Sequence, residues 1–143
     1  MEVNLKRIDG DFHFEALGAA GVPVQIDANP EIGGHNAGAR PMELLLMGLG
    51  GCTAIDVILI MKKQKQIINN FEIKVNGQRT KIEGTEMSPF TAINIHFVFT
   101  GQNLDATKID RAIKLSMEKY CSATAQFNPL ANITHSLEIL KAE

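Results

Sequence analysis

The chain has 143 residues, of which 45% are hydrophobic and 21% are charged. This is the composition of an ordinary globular protein, which excludes intrinsic disorder. A chain of this length also buries enough surface to fold without disulfides. Fourteen Lys and Arg against sixteen Asp and Glu give a net charge of −2, which lacks the basic excess that nucleic-acid binding requires.

The first forty residues predict three short strands and a loop. Apolar residues recur in 3–7, 12–17 and 22–27, and the Gly and Asp residues between them are typical of turns, which predicts an antiparallel meander. Residues 29–40 are rich in Gly, Asn and Pro and predict an ordered loop. The first residues show no apolar segment of the kind a secretory signal needs, so we expect a cytoplasmic protein.

The longest periodic segment runs from Pro41 to about Gln66 and predicts a helix. Pro41 suits the first helical position, and Glu43 in the first turn complements the helix dipole. Apolar residues surround the helix axis, which predicts a central helix that is buried on most sides. The segment is long enough to span a membrane, but Asp56 within it would cost about 2.5 to 3.5 kcal/mol there, so a soluble domain is favoured.

The second half of the chain predicts a hairpin, a helix and a last strand. Residues 71–80 and 90–100 alternate between apolar and polar positions, which predicts two half-buried strands joined by a turn. In residues 105–121, apolar side chains recur at helical spacing, which predicts a helix with Met117, Tyr120 and Cys121 on the face towards the core. Residues 132–140 alternate again. The chain thus predicts an α+β domain of two helices on antiparallel sheet.

The two cysteines, Cys52 and Cys121, are too few for a disulfide scaffold and lack the paired spacing of a zinc site. Cys52 follows Gly48, Gly50 and Gly51, and three glycines in a helix interior cost about 2 to 3 kcal/mol relative to Ala. They indicate either tight packing around a buried thiol or close access of a small ligand to a reactive one. If the two thiols approach each other, a sulfenic acid on one is resolved by the other.

The residues around both cysteines carry a family resemblance. The segment 40–57, RPMELLLMGLGGCTAIDV, and the segment 118–122, EKYCS, resemble the OsmC/Ohr family of osmotically inducible and organic hydroperoxide resistance proteins. The resemblance covers nearly the whole chain and implies one OsmC-like domain over residues 1–143, with antiparallel sheets around two central helices in an intertwined homodimer. It also implies a thiol peroxidase for organic hydroperoxides, with Cys52 as the peroxidatic residue, Cys121 as the resolving residue and a dithiol, such as a lipoyl group, as the reductant.

A peroxidatic thiol needs a positive neighbour, because the thiolate is the nucleophile and free Cys has a pKa of about 8.5. Asp56, four positions after Cys52, opposes ionisation of that thiol. The candidate cations are Arg7, Arg40, Arg79 and Arg111, and Glu43 is the anion that compensates Arg40 at the helix start. Glu43 precedes Cys52 by nine residues, about 13.5 Å along a helix axis. We therefore expect Arg40 and Glu43 to act across a two-fold interface on Cys52 of a second subunit; the alternative is a surface ion pair.

One position departs from the family's peroxidases. Their catalytic glutamate directly follows the proline, where this chain has Met42; Glu43 comes one place later, about 100° around the helix. Two hypotheses therefore remain open: a peroxidase that reduces organic hydroperoxides, and a redox-sensing or small-ligand-binding dimer of the same fold without efficient peroxidase activity. A third interpretation makes both thiols packing residues.

The histidines do not predict a metal site. None pairs with another at the i, i+4 spacing of helical ligands, and none accompanies a Cys-x-x-Cys pair. The histidines are His13, His35, His96 and His135. We therefore expect neither a metal nor a cofactor.

Overall fold

Two three-stranded sheets and three α-helices make up residues 1–142, which a computed structural model describes. The backbone divides into two units, one of residues 1–45 and the other beginning at Leu46. Each unit contains one of the sheets. The predicted α+β class is confirmed.

The sheet of the first unit is the predicted meander. It consists of β1 (Asn4–Arg7), β2 (Phe14–Leu17) and β3 (Val24–Ile26), and neighbouring strands pair antiparallel in chain order. Most of its side chains are exposed or half-buried. The three strands therefore hold together chiefly through backbone hydrogen bonds and cross-strand pairs.

The loop after β3 is ordered around a buried carboxylate. The side chain of Asp27, which is 1% exposed, accepts backbone N–H groups of Ala28 at 2.7 Å, His35 at 2.7 Å and Ala37 at 3.0 Å. The bond from Ala37, with those from His35 and Ala28, outweighs burial and holds the pKa of Asp27 below its usual range. A Cβ at Gly34 would lie 1.9 Å from the Ala28 carbonyl oxygen, so glycine is required there.

The sheet of the second unit contains β4 (Asn70–Arg79), β5 (Phe90–Gly101) and β6 (Asn132–Lys141), in that order. The predicted hairpin is confirmed, because β4 and β5 pair antiparallel. β6 pairs parallel to β5, so the prediction of purely antiparallel sheets is wrong at this edge. The chain reaches β6 through a helical crossover, which is the usual connection between parallel neighbours.

The core of the second unit lies on one face of this sheet. Ile93, Ile95, Phe97 and Phe99 of β5 are almost fully buried, as their alternation predicts. The ring of Phe71 on β4 stacks on that of Phe99, with 4.4 Å between the centroids. Large side chains at alternate positions thus fix the register of the two strands.

Helix α1 runs from Pro41 to Lys63, three residues short of the predicted end. Only one stripe of α1 packs on the sheet. A Cβ at Gly50 would lie 2.9 Å from Cγ2 of Val75, so this glycine allows the helix to approach β4 closely. The buried residues of α1 are Leu49, Gly50, Thr53, Val57 and Met61. In the single chain, the prediction of burial on most sides is wrong, because the sheet covers only one side. Its exposed apolar side chains include Leu45, Met47, Ile55 and Leu59.

By length and apolar composition alone, α1 meets the requirements of a membrane span. Its Asp56, however, accepts a hydrogen bond from Ser116, and its Gly50 packs on β4. These contacts are those of a core helix in a globular domain, in agreement with the sequence-based expectation.

The helical crossover differs from the predicted helix over 105–121. Helix α2 (Ala106–Leu115) ends early, residues 116–120 form a π-helical turn, and a further helix, α3 (Ser122–Phe127), follows. The backbone N–H of Cys121 donates to the carbonyl oxygen of Ser116, five residues before it, at 2.8 Å. Cys121 is therefore not in the last turn of a regular helix but between the π turn and α3.

Candidate functional site

The structure brings together two thiols and a carboxylate in the second unit. Sγ of Cys52, Sγ of Cys121 and a carboxylate oxygen of Asp56 all lie within 4.8 Å of one another. Cys52 and Asp56 are adjacent on one face of α1 because four residues make about one helical turn. Cys121 comes from the crossover, 69 positions after Cys52 in the sequence.

Cys121 is the more buried of the two thiols, with 4% of its surface exposed. Its sulfur lies 3.4 Å from the hydroxyl oxygen of Thr53 and accepts the backbone N–H of Thr124 at 3.4 Å. Cys121 is also the N-cap of α3, a position at which a side-chain acceptor satisfies a free backbone N–H of the first turn. Polar groups therefore surround this sulfur, and the backbone N–H of Thr124 is a donor to it.

Hydrogen bonds decide the ionisation of Cys121. Burial disfavours its thiolate, but hydrogen bonds from the side chains of Thr124, Thr53 and Cys52 and from the backbone of Thr124 outweigh burial. The pKa of the Cys121 thiol is therefore lowered from its ordinary value.

Cys52 is half-buried in the middle of α1 and has different neighbours. A hydrogen bond from the backbone of Ala123 favours its thiolate, but burial, the adjacent Cys121 and the charge of Asp56 act against it. The pKa of the Cys52 thiol is therefore raised from its ordinary value. Burial and Cys121 contribute more to this shift than Asp56, whose charge acts in the direction that the i, i+4 spacing predicts.

Asp56 is hydrogen-bonded by Ser116, a residue that the sequence analysis did not identify. Its Oδ2 accepts a hydrogen bond from the hydroxyl of Ser116 at 3.1 Å, and Ser116 is fully buried. Within residues 46–142, no Lys, Arg or His side chain forms a salt bridge with Asp56. The carboxylate is thus fixed in orientation but its charge is not paired there.

The π turn explains why Ser116 and Cys121 face the same site. Regular helical spacing predicts Met117 and Tyr120 on the buried face, but Met117 is only half-buried and Tyr120 is 51% exposed. In a π turn the bonded residues are five apart, so Ser116 and Cys121 take the inner positions instead. The prediction that Cys121 faces the core is confirmed, although the prediction of one regular helix over residues 105–121 is wrong.

A largely apolar cleft of about 520 Å³ adjoins the carboxylate of Asp56. Besides Asp56, the side chains that line it come from the end of α1 and from the crossover: Leu59, Ile60, Lys63, Gln64, Leu115 and Tyr120. The cleft therefore offers an apolar surface with an ammonium group and an amide beside the carboxylate of Asp56.

Arg40 and Glu43 lie in the first unit and bond at the start of α1. Oε2 of Glu43 accepts the backbone N–H of Arg40 at 2.9 Å, which is half of a capping box. The guanidinium of Arg40 donates to the carbonyl oxygen of Gly38 at 3.1 Å and to the side-chain oxygen of Asn36. In this chain both residues therefore order the loop that leads into the helix.

A second cluster of potential ligands lies in the first unit. The ring nitrogens of His35 lie 3.2 Å from Asp9 and 3.3 Å from Asp11, and these side chains are largely exposed. No sequence motif predicted this cluster, because His35 lies far along the chain from the two aspartates. Its geometry is that of a solvated ion-pair group.

Sequence reasoning missed the hydroxyl groups around the thiols. Thr53 directly follows Cys52, Thr124 stands three residues after Cys121, and Ser116 stands five residues before it. Only Thr124 carries a local signal, because an N-cap residue and its third successor interact at a helix start. The roles of Thr53 and Ser116 depend on tertiary contacts.

Comparison with known proteins identifies relatives over the full chain. A family model described as OsmC-like protein matches residues 34–136. Protein YhfA from Escherichia coli (strain K12) is 38% identical over 142 residues, which are 99% of this chain and 100% of that protein.

Solved structures share the fold. A hypothetical protein from Aquifex aeolicus VF5 matches with a TM-score of 0.82 and 30% identity, over 99% of this chain and 97% of that chain. An organic hydroperoxide resistance protein OsmC from Legionella pneumophila matches with a TM-score of 0.68 and 15% identity, over 96% of this chain and 97% of that chain. At that identity the likeness concerns the fold.

Proposed function

Because the chain belongs to the OsmC-like protein family, we propose that it is a thiol-dependent peroxidase that reduces organic hydroperoxides. Cys52 forms the sulfenic acid and Cys121 resolves it. The observation that carries this proposal is the approach of the two sulfurs to within 4.8 Å of each other. A small movement from that distance closes a disulfide.

The burial of the two thiols supports this order of events. Cys52 is half-buried and therefore meets a peroxide before Cys121, which is 4% exposed. Cys121 in turn accepts the backbone N–H of Thr124, which favours a thiolate, the form required to attack a sulfenic acid. Access thus assigns the first step to Cys52, and ionisation assigns the second to Cys121.

The reaction balances without a cofactor. The Cys52 thiolate attacks the distal oxygen of the hydroperoxide, the O–O bond breaks, and the alkoxide takes up a proton to leave as an alcohol. The Cys121 thiolate then attacks the Cys52 sulfur, the S–O bond breaks, and hydroxide takes up a proton to leave as water. One hydroperoxide and two thiols give one alcohol, one water and one disulfide, which a dithiol such as a lipoyl group reduces again.

The cleft beside Asp56 supports an organic substrate. Leu59, Ile60 and Leu115 supply apolar surface beside Asp56, whose carboxylate lies within 4.8 Å of the Cys52 sulfur, and the volume of about 520 Å³ is within the range of small-molecule sites. Hydrogen peroxide has no group that would use this surface. An aryl or alkyl hydroperoxide does.

A homodimer completes the proposal. Apolar side chains that α1 exposes in the single chain outside the cleft, such as Met47 and Ile55, need a partner surface, and a second copy supplies it. Arg40 and Glu43 of one subunit would then act on Cys52 of the other. We propose a cytoplasmic location, where reduced dithiols are available.

The test mixes fully reduced protein with one equivalent of cumene hydroperoxide and maps the thiols by mass spectrometry. We expect one equivalent of alcohol and a disulfide between Cys52 and Cys121, formed faster than in the same protein unfolded in guanidinium chloride. Intact thiols after the hydroperoxide has been offered in excess would end the peroxidase proposal.

The charge beside Cys52 favours a second candidate, a redox-sensing dimer that oxidises slowly. The group fixed next to this thiol is the carboxylate of Asp56, and Met42 stands where the family's peroxidases carry glutamate. Such a protein forms the same disulfide but no faster than its unfolded control. The rate, and not the product, therefore separates the two candidates.

A further inference from the structure

The two thiols and the carboxylate also form a set of metal ligands. We propose that the reduced protein binds one Zn²⁺ per chain through Sγ of Cys52, Sγ of Cys121 and a carboxylate oxygen of Asp56. This site goes beyond the proposed peroxidase, because metal binding requires no peroxide and no turnover. Neither motif spacing nor the histidines predicted it, since its third ligand lies 69 positions after the first.

The backbone gives the ligands the arrangement of a zinc site. Two of them, Cys52 and Asp56, lie one turn apart on α1, and the third comes from a distant segment. Tetrahedral zinc with Zn–S bonds of about 2.3 Å separates two sulfur ligands by about 3.8 Å. The three ligand atoms already lie within 4.8 Å of one another, so rotamer adjustments of less than about 1 Å complete the geometry.

The ligand chemistry selects zinc. Thiolates bind soft and borderline metals, whereas a carboxylate oxygen suits harder ones, and Zn²⁺ accepts both in one tetrahedron. Three protein ligands leave the fourth position for water or for another oxygen. The hydroxyl of Thr124, a residue 2% exposed, is buried beside Cys121 and has no oxygen or nitrogen partner among the described residues, so it can also bond to such a water.

Neighbouring groups hold two of the three ligands in place. The buried hydroxyl of Ser116 donates to Asp56 at 3.1 Å, and the backbone N–H of Thr124 donates to Cys121 at 3.4 Å. Such outer contacts orient the ligands of known metal sites and raise metal affinity. Within residues 46–142 no basic side chain pairs with Asp56, so the cation also supplies the missing positive charge.

The cluster of Asp9, Asp11 and His35 provides an internal comparison. It is exposed, contains no thiolate, and its carboxylates already pair with the imidazole. We therefore expect Zn²⁺ to bind the thiolate cluster more tightly than this exposed cluster. Co²⁺ distinguishes the two sites, because only thiolate ligands give a sulfur-to-cobalt absorption band.

The test titrates Co²⁺ and then Zn²⁺ into the reduced, metal-free full-length protein under anaerobic conditions. We expect one Co²⁺ per chain, with the sulfur-to-cobalt charge-transfer band and the visible bands of a tetrahedral site, and displacement by one Zn²⁺. Protein whose thiols have been blocked with iodoacetamide should show none of these bands.

Variants locate the site. Cys52→Ser and Cys121→Ser should each lose the charge-transfer intensity of one thiolate and bind Zn²⁺ at least about 100-fold more weakly, and Asp56→Asn about 10-fold or more. Asp110→Asn, at a half-buried carboxylate of α2 that pairs with Lys114, and His35→Asn, in the second cluster, are the matched controls and should retain the full spectrum. Circular dichroism establishes that each variant is folded.

Two outcomes would overturn the proposal. One is reduced wild-type protein that binds neither metal, and the other is binding that survives Cys52→Ser but is lost in His35→Asn. Because no hydroperoxide is present, a failure here leaves the peroxidase proposal standing. Conversely, intact thiols after hydroperoxide treatment say nothing against the metal site.

Discussion

The two thiols of this protein share one site but differ in what surrounds them. Cys121 has a hydroxyl of Thr53 and a backbone N–H of Thr124 at its sulfur, whereas Cys52 lies next to the carboxylate of Asp56. The pKa of the more buried thiol is lowered and that of the less buried one is raised. Burial alone predicts the opposite order, so the neighbours decide the ionisation of each sulfur.

The largest expected effect comes from removing one thiol at a time. Cys52→Ser should abolish hydroperoxide consumption, because the remaining sulfur is buried, whereas Cys121→Ser should consume one equivalent and stop at the sulfenic acid. Single-turnover assays with dimedone trapping check this. An equal loss of hydroperoxide consumption in both variants would contradict the roles assigned to the two thiols, and a dimedone adduct on Cys121 would reverse them.

Removing the carboxylate should make the two thiols more alike. Asp56→Asn keeps an oxygen for Ser116 but takes away a negative charge, so the pKa of Cys52 falls and its alkylation at pH 7 in the presence of EDTA accelerates about threefold. The rate is measured with iodoacetamide in the Cys121→Ser background. Asp110→Asn is the matched control and should leave the rate unchanged; an equal acceleration there would refute the local effect.

Removing a hydroxyl beside Cys121 tests whether hydrogen bonds lower the pKa of this thiol. Thr124→Val retains the backbone N–H but deletes the side-chain donor, so the pKa of Cys121 rises and its alkylation at pH 7 slows about threefold. The Cys52→Ser background isolates this thiol, and EDTA keeps metals out. Alkylation that becomes faster instead would show that the hydroxyl shields the sulfur and does not stabilise its thiolate.

The smallest kinetic effect is expected at Ser116. Ser116→Ala removes the donor to Asp56 but leaves the charge of that carboxylate, so the alkylation rate of Cys52 should change less than about twofold. The free energy of unfolding should fall by about 1 kcal/mol, since a part-buried acceptor loses its partner. A rate change as large as that of Asp56→Asn would mean that orientation, and not charge, governs Cys52.

The parts of the fold that the sequence predicted are those governed by local patterns. The alternation that places Phe97 and Phe99 inward reflects the period of a strand, and the cap at Glu43 reflects the start of a helix. The parallel partner of β5 was not predictable in this way, because strand direction depends on the crossover. The exposed apolar side of α1 was mispredicted because apolar character does not say which surface covers it.

In the candidate site, too, local sequence patterns predicted some contacts and tertiary packing determined the others. The i, i+4 spacing predicts the contact of Cys52 with Asp56, and the family resemblance pointed to both cysteines. The contacts of Thr53 and Ser116 with this site join segments about sixty residues apart and follow only from packing. No local pattern marks a π turn either, and for that reason Tyr120 was assigned to the wrong face.

The turn at 116–120 holds one residue more than a regular helical turn. Such a turn absorbs a surplus residue without changing the phase of the chain beyond it, so shortening the segment by one residue, for example by deleting Glu118, should leave the second sulfur pointing at the first. Lengthening it by one residue should swing that sulfur about 100° away. The reach between the thiols therefore tolerates a deletion at this point but not an insertion, an asymmetry that a regular helix would not show.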